Sequence, residues 1–482
     1  MRRLLLSVIF LGAALVGQDA NKKTDAEKPE ESKAASWTAF VGGTVWPVSG
    51  PVIKDGIVIV KDDKIAAVGR RGEVTVPKSA TIVDVAGRHV SPGFVCPAAR
   101  GSLGVTGHNS REKAKDRFDP FSETMLFCLA AGITTAHEGP SSGGGLPRGF
   151  GMGGGGTFSG AAKGSYGGFI GKLTRGTTEG FELRDPAGVY MTYGGTGSQR
   201  NETRAALEKA VEYRKKRKQW LDDLVAKKKD AKEPKSDDLT KALARVLDRE
   251  LPLFMGAKTR QQLEGCLDLC DAYKVPMVIH GAQEAWTMAP AIGRRPITML
   301  ITPRGSGGRA TRPYTNRHKS QPHGWSITNA AVLSSAGIRW GVTTSGTGVN
   351  TRLFAGRDLM GLPHEACFAV RGGATEAEAL AAITLTAAQI LKIDDRVGSL
   401  DVGKDADILV MDREPLDYRS FVDLAYVNGR VAYDRSKVNL WNHIQTDRSK
   451  GLRKGWKPWG PWPELGELQP PTEAGGNGNG GN

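Results

Sequence analysis

His137 and Glu138 follow the run Gly132-Ile133-Thr134-Thr135, and a second histidine, His280, follows Val275-Pro276-Met277-Val278-Ile279. Imidazoles and a carboxylate at the ends of β-rich runs are the residue types from which acid–base pairs and metal sites are built. Cys96 adds a thiol that could pair with His137 or His280 as nucleophile and base, and Arg100 adds a permanent cation. The plainer reading is five polar residues left at strand ends with no joint role, and distances in the fold decide between the two. Cys266 and Cys270 lie one helical turn apart before Tyr273 and could supply half a metal site. The cysteines (96, 128, 266, 270 and 367) are odd in number and scattered, so small buried hydrophobes describe them better. His318 and His323 sit in a basic, Gly/Pro-rich stretch that reads as an exposed loop.

Two glycine motifs fail on context. Gly151-Met152-Gly153-Gly154-Gly155-Gly156 satisfies GxGxxG, but no strand precedes it and no helix follows, so no dinucleotide cofactor is expected. Gly171-Lys172 precedes Leu173 and has Tyr166 where a phosphate loop needs its first glycine.

The elements that must position these residues fall into two patterns. Short β-rich runs occupy the first part of the folded chain: Thr44-Val45-Trp46, Ile57 to Val60, Ile65 to Val68 and Thr81 to Val83, with Lys61-Asp62-Asp63-Lys64 as a polar turn. Similar runs return at Gly398 to Leu400, Ala406 to Met411, Ala425 to Val427 and Arg430 to Tyr433. The last two flank Asn428-Gly429, a type I′ hairpin signal. We therefore expect one small β-sandwich built from 37–91 and 396–435. Between them, 92–395 alternates strand-like runs with amphipathic helical stretches, which argues for βα units and a parallel sheet. Its length suits a distorted (β/α)8 barrel, a fold of roughly 250 residues, with an insertion. A glycine-rich segment, 139–171, is expected as a mobile loop over the barrel mouth. A lysine-rich helical insertion is expected at about 203–250, and a Trp/Pro-rich tail with Trp456, Trp459 and Trp462 at 436–482, ending in a disordered Gly/Asn run.

The chain has 482 residues and a net charge of +15. Much of that charge lies in Glu212 to Lys235, where Asp222, Asp223, Asp230 and Glu233 interleave with the lysines. A solvated helix pair accounts for the pattern, and no motif for specific nucleic-acid binding accompanies it. Arg2-Arg3, the apolar run Leu4 to Val16 and Gly17-Gln18-Asp19-Ala20 have the order of a secretory signal peptide. Residues 1–20 are thus expected to direct export to the periplasm or beyond, followed by a flexible leader at 21–36. No later run is long and apolar enough to span a bilayer.

Several segments in order resemble the amidohydrolase superfamily, in its imidazolonepropionase-like branch. Val83-Asp84-Val85-Ala86-Gly87-Arg88-His89-Val90-Ser91-Pro92-Gly93-Phe94-Val95-Cys96 is similar to the approach to the family's first barrel strand. Gly132 to Thr135 resembles its second-strand signature, and Ala379 to Leu391 its last barrel helix. The fullest match is Gly398-Ser399-Leu400-Asp401-Val402-Gly403-Lys404-Asp405-Ala406-Asp407-Ile408-Leu409-Val410, with Pro415-Leu416 and Asn428-Gly429 after it. The resemblance implies a barrel that binds zinc or a similar ion at its strand ends and hydrolyses non-peptide C–N bonds, a metal-bound water being the nucleophile. Residue by residue, the ligands do not carry over. Relatives have Pro-Gly-Phe-Ile-Asp-x-His-x-His, whereas Cys96, Ala98 and Arg100 stand at the aspartate and the two histidines. A His-Ala-His-Arg-like segment reads Gly256-Ala257-Lys258-Thr259, and Ser345 replaces the eighth-strand aspartate. His280 matches a family histidine and is the surviving candidate metal ligand; no residue matches the bridging lysine. One imidazole cannot hold a catalytic zinc, which needs about three protein ligands. The expectation is an exported protein, hydrolytic by descent but inactive or altered in that chemistry, with no cofactor unless zinc binds an unorthodox site. The alternative is a non-catalytic protein that holds a small molecule or a partner at the barrel mouth.

Overall fold

Ile57-Val58-Ile59-Val60 is apolar on both faces of its strand, and the surrounding sheet is buried on both faces. Val58 and Val60 join Phe40, Ile65 and Ile408 in one core, while Ile57 and Ile59 pack with Ala39 on the other side. The computed structural model describes residues 35–103, 113, 116, 118–139, 164–194, 196–228, 231–305, 324–346, 348–349, 358–438 and 440. The expected signal peptide, most of the leader, His318 and His323, the motif at 151–156 and Trp456, Trp459 and Trp462 lie outside them. Among the described residues no helix is long and apolar enough to cross a membrane.

The chain begins with β1 (Trp37–Val45), β2 (Ile53–Lys61), β3 (Lys64–Arg70), β4 (Thr81–Asp84) and β5 (His89–Pro92). Ten strands follow: β6 (Phe94–Ala99), β7 (Ile133–Glu138), β8 (Ser165–Gly167), β9 (Phe169–Lys172), β10 (Glu182–Arg184), β11 (Gly188–Thr192), β12 (Leu253–Ala257), β13 (Met277–Gly281), β14 (Ile297–Ile301) and β15 (Trp340–Val342). The last strands are β16 (Ile408–Met411), β17 (Val422–Val427) and β18 (Arg430–Asp434). The two ends of this series merge in one eight-stranded sheet, β18-β17-β16-β5-β1-β2-β3 with β4 beside β1. Its join is the antiparallel register Ile408↔Pro92, Leu409↔Ser91 and Val410↔Val90. Asn428 and Gly429 have φ of 51° and 70°, as a type I′ turn requires. Gly398 to Leu400 is not a strand. Gly398 turns there at φ 94°, and the Leu400 amide donates to Pro47 O (3.1 Å), so the segment bends across the sheet rather than extending it.

The barrel strands form two sheets, β10-β9-β7-β6 and β15-β14-β13-β12-β11-β8. They are halves of one structure, because β8 and β9 are a single stretch interrupted at Gly168 (φ 67°). β8 pairs antiparallel with β11, and β9 antiparallel with β7. β6 and β7 are parallel to each other, as are β11 through β15. A distorted (β/α)8 barrel results, with its third strand reversed. The end of the glycine-rich segment, expected as loop, is therefore a barrel strand.

The helices in chain order are α1 (Glu123–Ala130), α2 (Gly197–Val225), α3 (Asp238–Leu247), α4 (Arg260–Tyr273), α5 (Ala289–Ile292), α6 (Asn329–Ser335), α7 (Leu362–Arg371), α8 (Glu376–Ala382) and α9 (Leu385–Leu391). α2 and α3 form the lysine-rich pair, and they make the crossover from β11 to β12: α3 packs on β11, and α2 packs on α3. α8 and α9 occupy the last-helix segment, broken at Ile383 and Thr384. The Val95 amide of β6 donates to Ile383 O (2.7 Å), so that break fills the seam between β15 and β6. Inside, Val95, Ile170, Tyr190, Phe254, Val278 and Leu300 pack against Ala387, Ile390 and Leu391 of α9. The interior is a filled core, not a pore.

Candidate functional site at the barrel mouth

The Pro92-Gly93-Phe94 entry to β6 depends on the absence of a side chain. A Cβ at Gly93 would lie 1.9 Å from Thr134 Oγ1, so β6 meets β7 as closely as it does only with glycine. The register between them shifts between Cys96 and Ala99, and β6 ends in buried Ala98 and Ala99 before Arg100, which is exposed. Cys96 is buried, and its thiol donates to Ala98 O at 3.4 Å. Burial pushes that thiol up to about 12, against a smaller lowering by the Ala98 backbone. It packs as a small buried hydrophobe in the barrel core.

His137 points into the barrel from β7. Its Nδ1 lies 3.0 Å from Pro97 O and its Nε2 2.6 Å from the Tyr190 hydroxyl. The carbonyl can only accept, so Nδ1 carries the proton and Nε2 accepts from Tyr190. The ring packs 4.7 Å from Phe254, which stacks on Tyr190 at 5.0 Å. Burial drives the imidazole down to about 3, with the Pro97 carbonyl opposing and His280 assisting. Glu138 is equally committed. Its carboxylate accepts from the amides of Gly101 (2.7 Å), Ser102 (2.7 Å) and Leu103 (3.3 Å) and from the Ser102 hydroxyl (2.6 Å). Burial raises its pKa and these four bonds oppose the rise. The side chain anchors the turn that follows Arg100.

His280, on β13, is buried, and burial together with the nearby Lys258 cation lowers it to about 4. Lys258 follows β12, and its stem lies over Gly281, where an added Cβ would meet Lys258 Cγ at 3.1 Å. Glu284, whose amide donates to Lys258 O, spends its carboxylate on the amides of Arg260 (2.7 Å) and Gly324 (2.8 Å). Neither Lys258 nor Arg100 makes an ion pair among the described residues. Gly256 faces Thr192, Thr343 and Thr302 share a hydroxyl contact of 3.0 Å, and Ser345 is half-buried past β15.

The barrel thus brings His137 and His280 into electrostatic reach of each other, and it does not pair Cys96 with either ring nitrogen of His137. Cys266 and Cys270 are buried free thiols on α4, without a third ligand among the described residues. Among the described residues no three His, Cys, Asp or Glu side chains converge to hold a metal ion. Two residues of the structural network escaped the sequence. Tyr190 sits in the apolar run Gly188-Val189-Tyr190-Met191, where nothing marks its hydroxyl as the partner of His137. Lys172 was weighed only against a phosphate loop. It is fully buried instead, in ion pairs with Asp405 and Asp407 (3.1 Å to the latter), and it donates to Asn428 Oδ1 at 2.6 Å. Asp405 in turn binds Lys64 and Arg396 (2.7 Å to Arg396), so the Lys404-Asp405-Ala406-Asp407 motif clasps β9 to the eight-stranded sheet.

Comparison with known proteins agrees with this architecture. Residues 327–439 match the model of the amidohydrolase family. The imidazolonepropionases of Streptococcus pyogenes serotype M49 (strain NZ131) and serotype M1 are each 36% identical over 78 residues, 15% of this chain and 18% of theirs. The chain therefore spans less than a fifth of the length of these curated relatives. The amidohydrolase from Thermotoga maritima MSB8 superposes with a TM-score of 0.63 at 23% identity, covering 83% of this chain and 100% of that one, a likeness of fold. Over 327–439 the chain is thus similar to the amidohydrolase family, and its fold is that of an amidohydrolase structure.

Proposed function

We propose that this chain is an exported amidohydrolase-superfamily protein that has given up metal-assisted hydrolysis of C–N bonds. The observation that carries the reading is the commitment of the strand-end pair: both ring nitrogens of His137 are engaged by Pro97 and Tyr190, and Glu138 is spent on the turn at 101–103. Neither group is available to ligate an ion or to take a proton from water. Ala98, Arg100, Gly256, Lys258 and Ser345, at the positions where the family resemblance puts ligands, point the same way, because alanine and glycine offer no donor and the two cations would repel a metal. The export half of the reading rests on residues 1–20.

A second reading, a ligand-binding barrel, is favoured by Arg100 and Lys258. Their charges have no carboxylate partner among the described residues, so the mouth suits an anionic group rather than a cation. Hydrolysis assays on small lactams and N-acyl amides, with added zinc or with chelator, test the main proposal. The expected result is no turnover that responds to either. Zinc-dependent turnover abolished by His280→Ala would overturn it.

A further inference from the structure

The opposite end of the barrel, where the strands begin, carries a feature independent of the mouth. A cavity of about 130 Å³ opens there between the starts of β12, β13 and β14 and the end of α9. Each of those strands begins directly after a proline: Pro252, Pro276 and Pro296. Proline brings an apolar ring and no amide proton. The Pro252 and Pro296 carbonyls are turned into the sheet, accepting from Val189 (3.1 Å) and Met277 (3.2 Å). The cavity therefore offers apolar walls from Leu251, Leu253, Met277 and Ile390, with the Thr298 hydroxyl and the Gln389 amide as polar accents.

Its rim is cationic. Arg249, Arg339 and Lys392 line it, all three are exposed, and none has a carboxylate partner among the described residues. The acids flanking Arg249 are engaged elsewhere: Asp248 with Arg214 at 2.7 Å, and Glu250 with Arg245 at 3.0 Å. Arg249 and Lys392 follow the ends of α3 and α9, where a cation also complements the helix carbonyls. That accounts for neither Arg339, which enters β15, nor the convergence of all three on one apolar cavity. Cavities near 150 Å³ hold a benzene ring, so the space fits one six-membered ring.

We propose that the barrel floor is a binding site for a small aromatic monocarboxylate, its ring among Leu251, Leu253, Met277 and Ile390 and its carboxylate at Arg249, Arg339 and Lys392. Calorimetric titration of the full chain with benzoate tests this, with benzyl alcohol as the neutral isostere and acetate as the charge without the ring. The expected result is one benzoate per chain, bound at least about tenfold more tightly than either control. R339Q/K392Q changes two exposed side chains and should weaken benzoate about tenfold while leaving benzyl alcohol unaffected. T298F fills the cavity, keeps the cations and should abolish benzoate binding. No benzoate binding up to about 10 mM would overturn the proposal. So would equal binding of acetate, or binding that survives R339Q/K392Q and is lost in K258Q, which would place the ligand at the mouth.

Discussion

His137 and His280 each contribute a pH dependence to the stability of this protein because both are buried. Their pKa values in the folded chain, about 3 and about 4, lie below the ordinary 6.5. As pH falls below 6.5 the unfolded chain takes up protons that the folded chain refuses, so stability present above 6.5 is lost progressively toward pH 4. Urea midpoints measured across that window should fall on acidification, and His280→Asn should flatten the slope; an unchanged slope in the variant would remove His280 from the account. Glu138 makes a separate prediction. Replacing it with alanine orphans the amides of Gly101, Ser102 and Leu103 and should cost about 3 kcal/mol by urea unfolding, with faster hydrogen exchange confined to that turn. At this scale the sequence showed which residue types stand at the strand ends, but not what engages them. The hydroxyl that occupies His137 comes from Tyr190, and the groups that occupy Glu138 are backbone amides, which no side-chain pattern displays.

Among the elements, legibility followed periodicity. Ile57 to Val60, Met277 to Ile279 and the Asn428-Gly429 hairpin were readable because alternation and positive-φ turn residues are local properties. The reversed third strand was not. Ser165 to Lys172 is short and glycine-rich, and its direction is set by pairing with β7 and β11 on either side. Gly398 to Leu400 read as strand by composition and became a bend through the left-handed Gly398. The family's Pro-Gly-Phe motif has a steric basis that can be tested. Gly93→Ala should destabilise by about 1–3 kcal/mol through overlap with Thr134, and Thr134→Ala should recover part of the loss in the double variant. Additive losses would mean that the two residues do not collide.

In the molecule as a whole, the most complete inherited feature is structural. Burial pushes the Asp405 carboxyl up, but Arg396, Lys172 and Lys64 outweigh it and bring the group down to about 2, so the clasp between β9 and the eight-stranded sheet is charged at neutral pH. Lys172→Met should cost about 3–5 kcal/mol, since it leaves Asp405 and Asp407 buried without their shared cation. The scaffold motifs of the superfamily thus hold the barrel together, while the strand ends carry alanine, glycine, lysine and serine. The measurement that bears most directly on the proposed loss of metal chemistry is the metal content of the purified chain after loading with zinc and dialysis against metal-free buffer. The account predicts no tightly retained ion. About one or more ions per chain, released by His280→Ala, would contradict it.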